Sequence, residues 1–307
     1  MFLGSSRTLM GFALTLSAVA SVWGFSLPQE RFQVTTFGAE RRARWSLEGK
    51  TAIVTGGTKG IGKAIVEELA CLGAKVITCS RNPADVAACV EEWKSKGLLV
   101  EGTTADVTTA EGRETLVELA EEHFGGLLDI LVNNVGTNIR KETVDYTPDE
   151  LAYIMDTNFT SLFLLTKLLH PLLKAAAAVE GARENGGSSV INISSVAGIT
   201  PIKSGSPYAA SKAAMNQVTR MWGCEWAPDG IRVNAVAPWY TKTPLTESVQ
   251  ADPVRVNEIT QRTPMKRWAD ADEVSGMVAF LCMKGSGYIT SQVISTDGGF
   301  TANGWMT

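Results

Sequence analysis

A glycine-rich turn set between an apolar run and an amphipathic segment constrains the fold of this chain most. Ala52–Thr55 is short and apolar, as expected of a buried strand, and the turn GGTKGIG follows it. Ile61–Leu72 then has helical periodicity and ends before Gly73, and Lys75–Cys79 is a second strand candidate. A strand, a helix and a second strand in this order predict a βαβ unit, whose right-handed crossover makes the two strands parallel.

Further apolar runs and helical segments alternate along the rest of the chain. The predicted strands after the first unit are Leu98–Thr103, Leu128–Val132, Val190–Ile193, Arg232–Val236 and Gln292–Ser295. The predicted helices are Pro83–Lys96, Ala110–Phe124, Pro148–Ala178, Pro207–Trp226 and Asp272–Met283. This alternation predicts an α/β fold with one doubly wound, Rossmann-type sheet of about seven parallel strands and helices on both faces.

Composition and charge argue against several classes of function. Of the 307 residues 45% are hydrophobic, enough for a large core in one α/β domain. A net charge of −4, without a basic stripe that carries aromatic residues, gives no indication of a nucleic-acid partner. The five cysteines are scattered and form no CxxC pair, so we expect reduced core thiols. The two histidines lie far from any cysteine pair, and no metal site is predicted.

The first 44 residues differ from the rest and are excluded from the predicted domain, residues 45–307. Arg7 precedes an apolar run, Leu9–Phe25, that closes on small residues and is shorter than the ~20 residues of a spanning helix. This layout predicts a signal peptide, with no stable membrane span in the mature chain. The arginine-bearing segment that follows resembles the second part of the plastid leaders of algae with complex plastids. A cleaved secretory signal and an uncleaved anchor are the alternatives.

The glycine spacing predicts a nucleotide site. Gly56, Gly60 and Gly62 follow the pattern GxxxGxG between the first strand and its helix. The backbone must turn tightly here and approach a pyrophosphate closely, which favours residues without a Cβ. The free N–H groups and the dipole of the helix N-terminus attract the anion. We therefore expect this turn to hold the pyrophosphate of a dinucleotide.

The residues at the end of the second strand indicate which dinucleotide the site binds. NAD-binding folds place an acidic residue here for the 2′-hydroxyl of the ribose, whereas this chain has Ser80 and Arg81. An acid would repel a 2′-phosphate, but Arg81, helped by Lys59 in the turn, would attract one. The sequence therefore predicts NADP(H) as the cofactor.

A serine, a tyrosine and a lysine form a candidate catalytic group. Tyr208 and Lys212 are four residues apart in a helical segment, so their side chains share one face. The cation is expected to lower the pKa of the phenol towards neutrality, where a tyrosine can transfer protons. Ser195 follows the predicted strand Val190–Ile193 and would bring its hydroxyl to the same cleft. Together these groups could polarise a carbonyl and protonate it.

In their order, the motifs resemble those of the short-chain dehydrogenase/reductases. The resemblance covers residues 45–307 and is carried by TGGTKGIG, Asp106–Val107, NNVG at 133–136, Asn158, ISSVAG, YxxxK and the segment from Pro238 to Thr243. RWSLEGKTAIVTGGTKGIG, CEWAPDGIRVNAVAPWYTKTPL and DGGFTANGW are similar to the tropinone reductase-like branch of that family.

The resemblance implies roles for individual residues. Tyr208 would be the acid–base residue, and Ser195 would orient the carbonyl. Lys212 would tune Tyr208 and donate to the nicotinamide ribose, and Asn158 would hold a water in the proton relay. The implied cofactor-binding residues are Gly56, Thr58, Lys59, Gly60, Ile61, Gly62, Ser80, Arg81, Asp106, Val107, Asn134, Gly136, Tyr208, Lys212, Pro238 and Thr243.

The resulting hypothesis is an NADPH-dependent reductase that transfers a hydride to a small, neutral ketone, with Trp239, Tyr240 and Ser195 around the substrate. Tropinone itself is a cationic amine, which Lys203 in the loop before Tyr208 would repel. One alternative is a 3-oxoacyl-(acyl-carrier-protein) reductase. Another, from a different class, is a catalytically silent NADP(H)-binding scaffold or sensor.

The two long helices predicted beside the active site carry more apolar residues than one sheet face is expected to cover. Together with the resemblance, this predicts a homotetramer or homodimer formed through Pro148–Lys174 and Pro207–Trp226. The apolar residues concerned are Leu162, Phe163, Leu165, Leu169, Val218, Met221 and Trp222.

Overall fold

The computed structural model describes residues 36–304. The predicted signal peptide lies outside the described residues. The chain divides into two units between Arg42 and Ala43, and a short helix, α1, spans Thr36–Ala43. The start of the domain at residue 45 stays a prediction.

The described part of the second unit contains one sheet of seven parallel strands in the order β3-β2-β1-β4-β5-β6-β7. The strands are β1 (Thr51–Thr55), β2 (Lys75–Ser80), β3 (Val100–Thr104), β4 (Ile130–Asn133), β5 (Ser188–Ile193), β6 (Ile231–Pro238) and β7 (Val293–Thr296). The helices are α2 (Gly60–Cys71), α3 (Pro83–Ser95), α4 (Ala110–Phe124), α5 (Pro148–Met155), α6 (Ser161–Ala178), α7 (Ser206–Glu225), α8 (Glu247–Gln250), α9 (Pro253–Arg262) and α10 (Ala271–Cys282). This confirms the predicted fold class.

The strand order places a crevice beside β1. Ala52 of β1 pairs with Val76 of β2 on one side and with Ile130 of β4 on the other. The chain therefore runs outward from β1 to β3 and then returns to the opposite side of β1. At such a reversal the connections leave the carboxyl ends of the two strands in opposite directions, and ligands of doubly wound sheets bind in the gap.

Both faces of the sheet are covered by helices, as alternate residues of β1 show. Ala52 and Val54 belong to one buried cluster, with Ile65 of α2. Ile53 points to the opposite face and belongs to a second cluster, with Leu165 of α6. The sheet is thus buried on both sides, which leaves the ends of its strands as the place for a site.

One predicted helix is interrupted in the structure. Pro148–Ala178 consists of α5, a π-helical turn at Asp156–Thr160, and α6. Within residues 36–304 this stretch is also the one helix that is long and apolar enough to cross a membrane, but half of its most apolar 18-residue window is buried inside the protein. Packing against the sheet therefore accounts for its apolar character.

The helix α9 was not predicted from the sequence, although a signal for it exists. The carboxylate of Asp252 accepts hydrogen bonds from the backbone N–H groups of Val254 and Arg255, and Pro253 occupies the first helical turn. Asp followed by Pro is a typical helix start. The set of predicted helices was therefore incomplete here.

Burial corrects the prediction of core thiols. All five cysteines are free; Cys79, Cys89 and Cys282 are buried, whereas Cys71 and Cys224 are exposed. These last two occupy solvent-facing positions near the ends of α2 and α7. The described residues contain no group of three or more His, Cys, Asp or Glu side chains placed to hold a metal ion.

The apolar residues on the two long helices are mostly covered within one protomer. Leu162, Leu165, Leu169 and Trp222 are each at most 5% exposed because they pack against the sheet. Phe163 and Met221 keep exposed fractions of 38% and 58%. The apolar surface that these helices leave for contact with another protomer is therefore smaller than the sequence predicted.

Candidate active site

A cavity of about 420 Å³ lies at the carboxyl ends of the first six strands. Residues that follow these strands line it: Gly56, Arg81, Asp106, Asn134, Ser195 and Trp239. All the predicted cofactor-binding and substrate residues line this one cavity, and of the predicted catalytic residues only Asn158 does not. The structure therefore brings together residues that are up to 187 positions apart, from Gly56 to Thr243.

The glycine-rich turn is shaped for a dinucleotide. A Cβ on Gly62 would lie 2.2 Å from the carbonyl oxygen of Gly56, so only glycine allows the helix to start this close to β1. Lys59, the residue before α2, makes no side-chain cap, and the first turn of α2 has no acidic residue. The N-terminus of α2 therefore keeps donors and a positive dipole end for an anion such as a pyrophosphate.

Asn134 holds the turn from the neighbouring strand. Its side-chain nitrogen donates to the carbonyl oxygens of Thr55 (2.9 Å) and Gly56 (3.1 Å). Its backbone N–H donates to the Thr55 hydroxyl at 3.0 Å. These bonds tie the ends of β1 and β4 together at the crevice, so Asn134 shapes the nucleotide site through the backbone.

At the end of β2, Arg81 is exposed at the rim of the cavity. Lys59, expected to assist it, instead forms an ion pair with Asp85 at 2.6 Å. Asp106, at the end of β3, accepts hydrogen bonds from the backbone N–H and the hydroxyl of Thr108. Arg81 is thus the rim cation best placed to meet a 2′-phosphate.

Ser195, Tyr208 and Lys212 meet on the wall of the cavity. Ser195 is buried just beyond β5, where its hydroxyl caps the short helix Val196–Gly198 and lies close enough to Tyr208 to oppose the rise in the pKa of that phenol. Lys212, one turn after Tyr208 on α7, is 3% exposed, and its Nζ donates to the carbonyl oxygen of Ile193 at 2.8 Å. The Nζ atom lies 5.7 Å from the centre of the Tyr208 ring.

The electrostatics of Tyr208 differ from the sequence prediction. Burial raises the pKa of Tyr208 above its ordinary value, and the hydrogen bond with Ser195, followed by the charge of Arg140, opposes that rise. The net shift of the Tyr208 pKa is therefore upward, not downward as predicted, because burial outweighs the groups that favour the phenolate. Burial also lowers the pKa of Lys212 to about 8. At neutral pH, therefore, Tyr208 keeps its proton and Lys212 is mostly charged.

Asn158 lies behind this wall, in the π-helical turn. Its side chain is fully buried. The side-chain nitrogen donates to the carbonyl oxygen of Thr137 and to the hydroxyl of Ser211, both at 3.0 Å. The side-chain oxygen accepts a hydrogen bond from the backbone N–H of Thr137 at 2.7 Å. Gly136 lies beside both groups: a Cβ there would be in ordinary van der Waals contact with Lys212 Nζ at 3.4 Å and with Asn158 Oδ1 at 3.5 Å. π-Turns are frequent at functional sites.

The substrate end of the cavity is walled by side chains from loops. Trp239 stacks on Phe300 with 3.7 Å between ring centres, and its Nε1 donates to the Thr263 hydroxyl at 3.0 Å. Lys203 is 75% exposed and pairs with Glu258, so the cation expected to repel tropinone lies outside this cavity. The rim of the substrate end is fixed by aromatic stacking rather than by charge.

Other residues at this end were missed as pocket residues. Asn138, Arg140, Ile202, Ser204 and Leu245 line the cavity with Tyr208. Residues 138 and 140 follow the NNVG motif directly, which was the available signal; Ser204 and Leu245 have no such marker.

Comparison with known proteins identifies the family of the chain. The short-chain alcohol dehydrogenase model described as enoyl-(acyl carrier protein) reductase matches residues 56–301. A tropinone reductase homolog from Arabidopsis thaliana is 53% identical over 87% of this chain and 97% of its own length. A homolog from Datura stramonium is 47% identical over 88% of this chain and 97% of its own.

A solved structure has the same architecture. The RhlG/NADP active-site complex from Pseudomonas aeruginosa superposes with a TM-score of 0.78 at 34% identity, over 84% of this chain and 98% of that one. The chain therefore belongs to the short-chain dehydrogenase/reductase family of oxidoreductases, in its tropinone reductase-like branch.

Proposed function

We propose that this protein reduces the carbonyl group of a small ketone with NADPH, and that Tyr208 donates the proton. One observation carries the proposal: Ser195, Tyr208 and Lys212 meet between the glycine-rich turn and the side-chain-walled end of a single cavity. A nucleotide and a carbonyl compound could therefore lie end to end beside the same phenol. Family membership supports oxidoreductase chemistry at this place.

The cofactor would be held by backbone at one end and by charge at the other. The turn from Gly56 to Gly62 would take the pyrophosphate, and Arg81 the 2′-phosphate. Asp106 and Val107 would contact the adenine, and Thr243 the nicotinamide amide. The NADP in the Pseudomonas RhlG complex supports the choice of this dinucleotide. When bound, NADPH supplies a hydride from C4 of its nicotinamide.

In the proposed mechanism, the hydroxyls of Ser195 and Tyr208 hydrogen-bond the carbonyl oxygen, which gains electrons as the carbonyl carbon accepts the hydride. Tyr208 then transfers its proton to that oxygen, which completes the alcohol and leaves a phenolate. The raised pKa of Tyr208 fits this role because a protonated phenol is required at the start.

Lys212 and Asn158 would support Tyr208 from behind. A charged Lys212 stabilises the transient phenolate by electrostatic attraction and has donors for the nicotinamide ribose. Asn158 fixes the loop at Thr137 and holds α7 through Ser211. We also propose that it orients a relay water through which the phenolate regains its proton.

The alternative reaction on an acyl-carrier protein finds less support. An acidic carrier protein calls for a basic surface around the site, but three exposed lysines that could contribute to one already have carboxylate partners. These ion pairs are Lys141 with Glu150, Lys203 with Glu258 and Lys242 with Asp270.

A panel of ketones tests the proposal and excludes the silent scaffold. Purified residues 45–307 are incubated with NADPH and compact cyclic or linear ketones, and the formation of the alcohol is measured. We expect ketone-dependent oxidation of NADPH with at least one compact ketone. Tight binding of NADPH without turnover of any ketone would favour the scaffold and contradict a reductase.

We also propose that two copies or more associate through the long helices. Exposed apolar side chains remain on α5, α6 and α7: Leu151, Phe163, Leu168 and Met221. Burying such a patch would contribute about 25 cal/mol per Å² of apolar surface. Sedimentation at micromolar concentration is expected to show a dimer or tetramer, and a monomer alone would contradict this proposal.

A further inference from the structure

Arg140 has an unusual position for a cation. It lies half-buried in the loop after β4 and lines the cavity beside Tyr208. Its Nε atom is buried and has no hydrogen-bond partner. Its neighbour Lys141 uses Glu150, and Arg140 takes part in none of the ion pairs among residues 36–304. A guanidinium with a donor nitrogen withdrawn from water without a partner is costly, so a ligand group that supplies an acceptor would be favoured.

The charges around Arg140 leave that cation uncompensated. Asp106 is the one acidic residue among the described residues of the cavity wall, and its carboxylate is engaged by Thr108 at the adenine end. Lys212, the other cation near Tyr208, donates to a backbone carbonyl. The effect of Arg140 on the phenol shows that its charge reaches the reacting end of the cavity. The potential there is positive.

Two further polar atoms at this end have no partner. The hydroxyl of Ser204, a residue only 4% exposed, and Oδ1 of Asn138 are both buried without a hydrogen bond. Both residues line the same cavity as Arg140. Ile202, Trp239 and Leu245 supply the apolar remainder of the wall. Buried polar atoms are almost always satisfied in folded proteins, so these three unsatisfied atoms, with Oγ1 of Thr157 as a fourth on the same cavity wall, indicate a polar ligand.

We propose that Arg140 binds a carboxylate of the substrate, and that the natural substrate is therefore a small oxo acid. Arg is suited to this because its planar donors match the two carboxylate oxygens. The hydroxyl of Ser204 would donate to an oxygen of the ligand, whereas Oδ1 of Asn138, which only accepts, would face a donor such as a hydroxyl group of the ligand. The inference rests on the proposed reductase function and names its substrate class. It replaces the neutral ketone predicted from the sequence, where Arg140 was not placed in the pocket.

The test compares charged and neutral substrates of one shape. A short series of linear oxo acids and the primary amide of each are reduced by the wild type and by Arg140→Gln. The wild type is expected to favour the best acid over its amide by about 10- to 100-fold in kcat/KM. In Arg140→Gln that preference should disappear through a higher KM for the acid, while kcat/KM for the amide changes by a few-fold at most.

A variant at the neighbouring residue controls for the general loss of positive charge. Lys141→Gln removes a cation of the same loop that is paired with Glu150, and it should keep the preference for the acid. A wild type that prefers the amide would overturn the proposal. So would an Arg140→Gln variant that loses activity equally on acid and amide, since Arg140 would then act on Tyr208 rather than on the substrate.

A binding measurement separates this proposal from the reductase itself. The hydroxy acids that correspond to the series are titrated into NADP⁺-loaded protein by calorimetry, which requires no turnover. Binding by the wild type that Arg140→Gln weakens at least tenfold supports the carboxylate site even if no ketone is reduced. Equal binding by both proteins, or none by either, contradicts it.

Discussion

The nucleotide end and the substrate end of the cavity are built by different means. At the nucleotide end the backbone from Gly56 to Gly62, held by Asn134, defines the surface, and an added Cβ at Gly62 would collide with it. At the substrate end the side chains of Arg140, Ser204 and Trp239 define it, each from a different loop. A surface made of backbone tolerates few sequences, whereas one made of side chains can change its ligand through single substitutions.

Tyr208 lies where the two ends meet, and its loss should have the largest effect. Tyr208→Phe keeps the ring but removes the proton donor, so kcat for ketone reduction should fall by about 10²–10⁴. NADPH affinity, measured by fluorescence titration, should change little. Tyr288→Phe, at a fully exposed tyrosine, is the matched control and should have no effect. Activity within tenfold of the wild type would remove Tyr208 from the mechanism.

A change at Arg81 should affect the nucleotide end alone. Arg81→Asp replaces attraction to a 2′-phosphate with repulsion, and the ratio of kcat/KM for NADPH to that for NADH should drop by about 10- to 100-fold. Lys59→Ala should lower the ratio less, because Lys59 already pairs with Asp85. A wild type that uses NADH as well as NADPH would contradict this account of the rim.

The pH profile of reduction tests the group behind Tyr208. Because burial lowers the pKa of Lys212 to about 8, kcat/KM should fall about tenfold for each pH unit above that value as the cation is lost. Lys212→Arg keeps its charge to much higher pH, so any activity it retains should not decline in this range. A wild-type profile that stays level one unit above this pKa would contradict a role for charged Lys212.

Stability should not follow the same profile. Since the pKa of Lys212 is lower in the folded than in the unfolded chain, the unfolded chain binds more protons between about 8 and the ordinary lysine value of 10.5. Lys212 therefore makes the fold more stable, not less, as pH rises through that window. A thermal melt at the same pH values distinguishes loss of the charge from loss of the fold.

The smallest expected effect concerns the choice between related ketones at the substrate end. Tropinone carries an ammonium group, which the positive potential near Arg140 would repel. Neutral cyclic ketones of similar size should therefore have a higher kcat/KM than tropinone, by at most about 10-fold. A panel in which tropinone exceeds them would show that a carboxylate outside the cavity wall, such as Glu247, reaches the amine.

The same contrast explains what the sequence could and could not predict. Gly56, Gly60 and Gly62 mark a turn because only glycine permits it, and Tyr208 and Lys212 mark a helix face because four residues make one turn. Ser204 and Leu245 have no local pattern, since their positions depend on where loops meet in the folded chain. The π-helical turn around Asn158 and the direction of the Lys212 ammonium likewise arise from tertiary contacts.

Transfer of a label between cofactor and product tests the central claim most directly. NADPH deuterated at C4 of the nicotinamide, on the face that is transferred, is incubated with the wild type and the best ketone, and the alcohol is analysed by mass spectrometry and NMR. We predict one deuterium on the carbinol carbon, formed at a rate that Tyr208→Phe reduces by about 10²–10⁴. Consumption of NADPH without deuterium in the alcohol, or equal labelling rates in both proteins, would contradict hydride transfer to a carbonyl protonated by Tyr208.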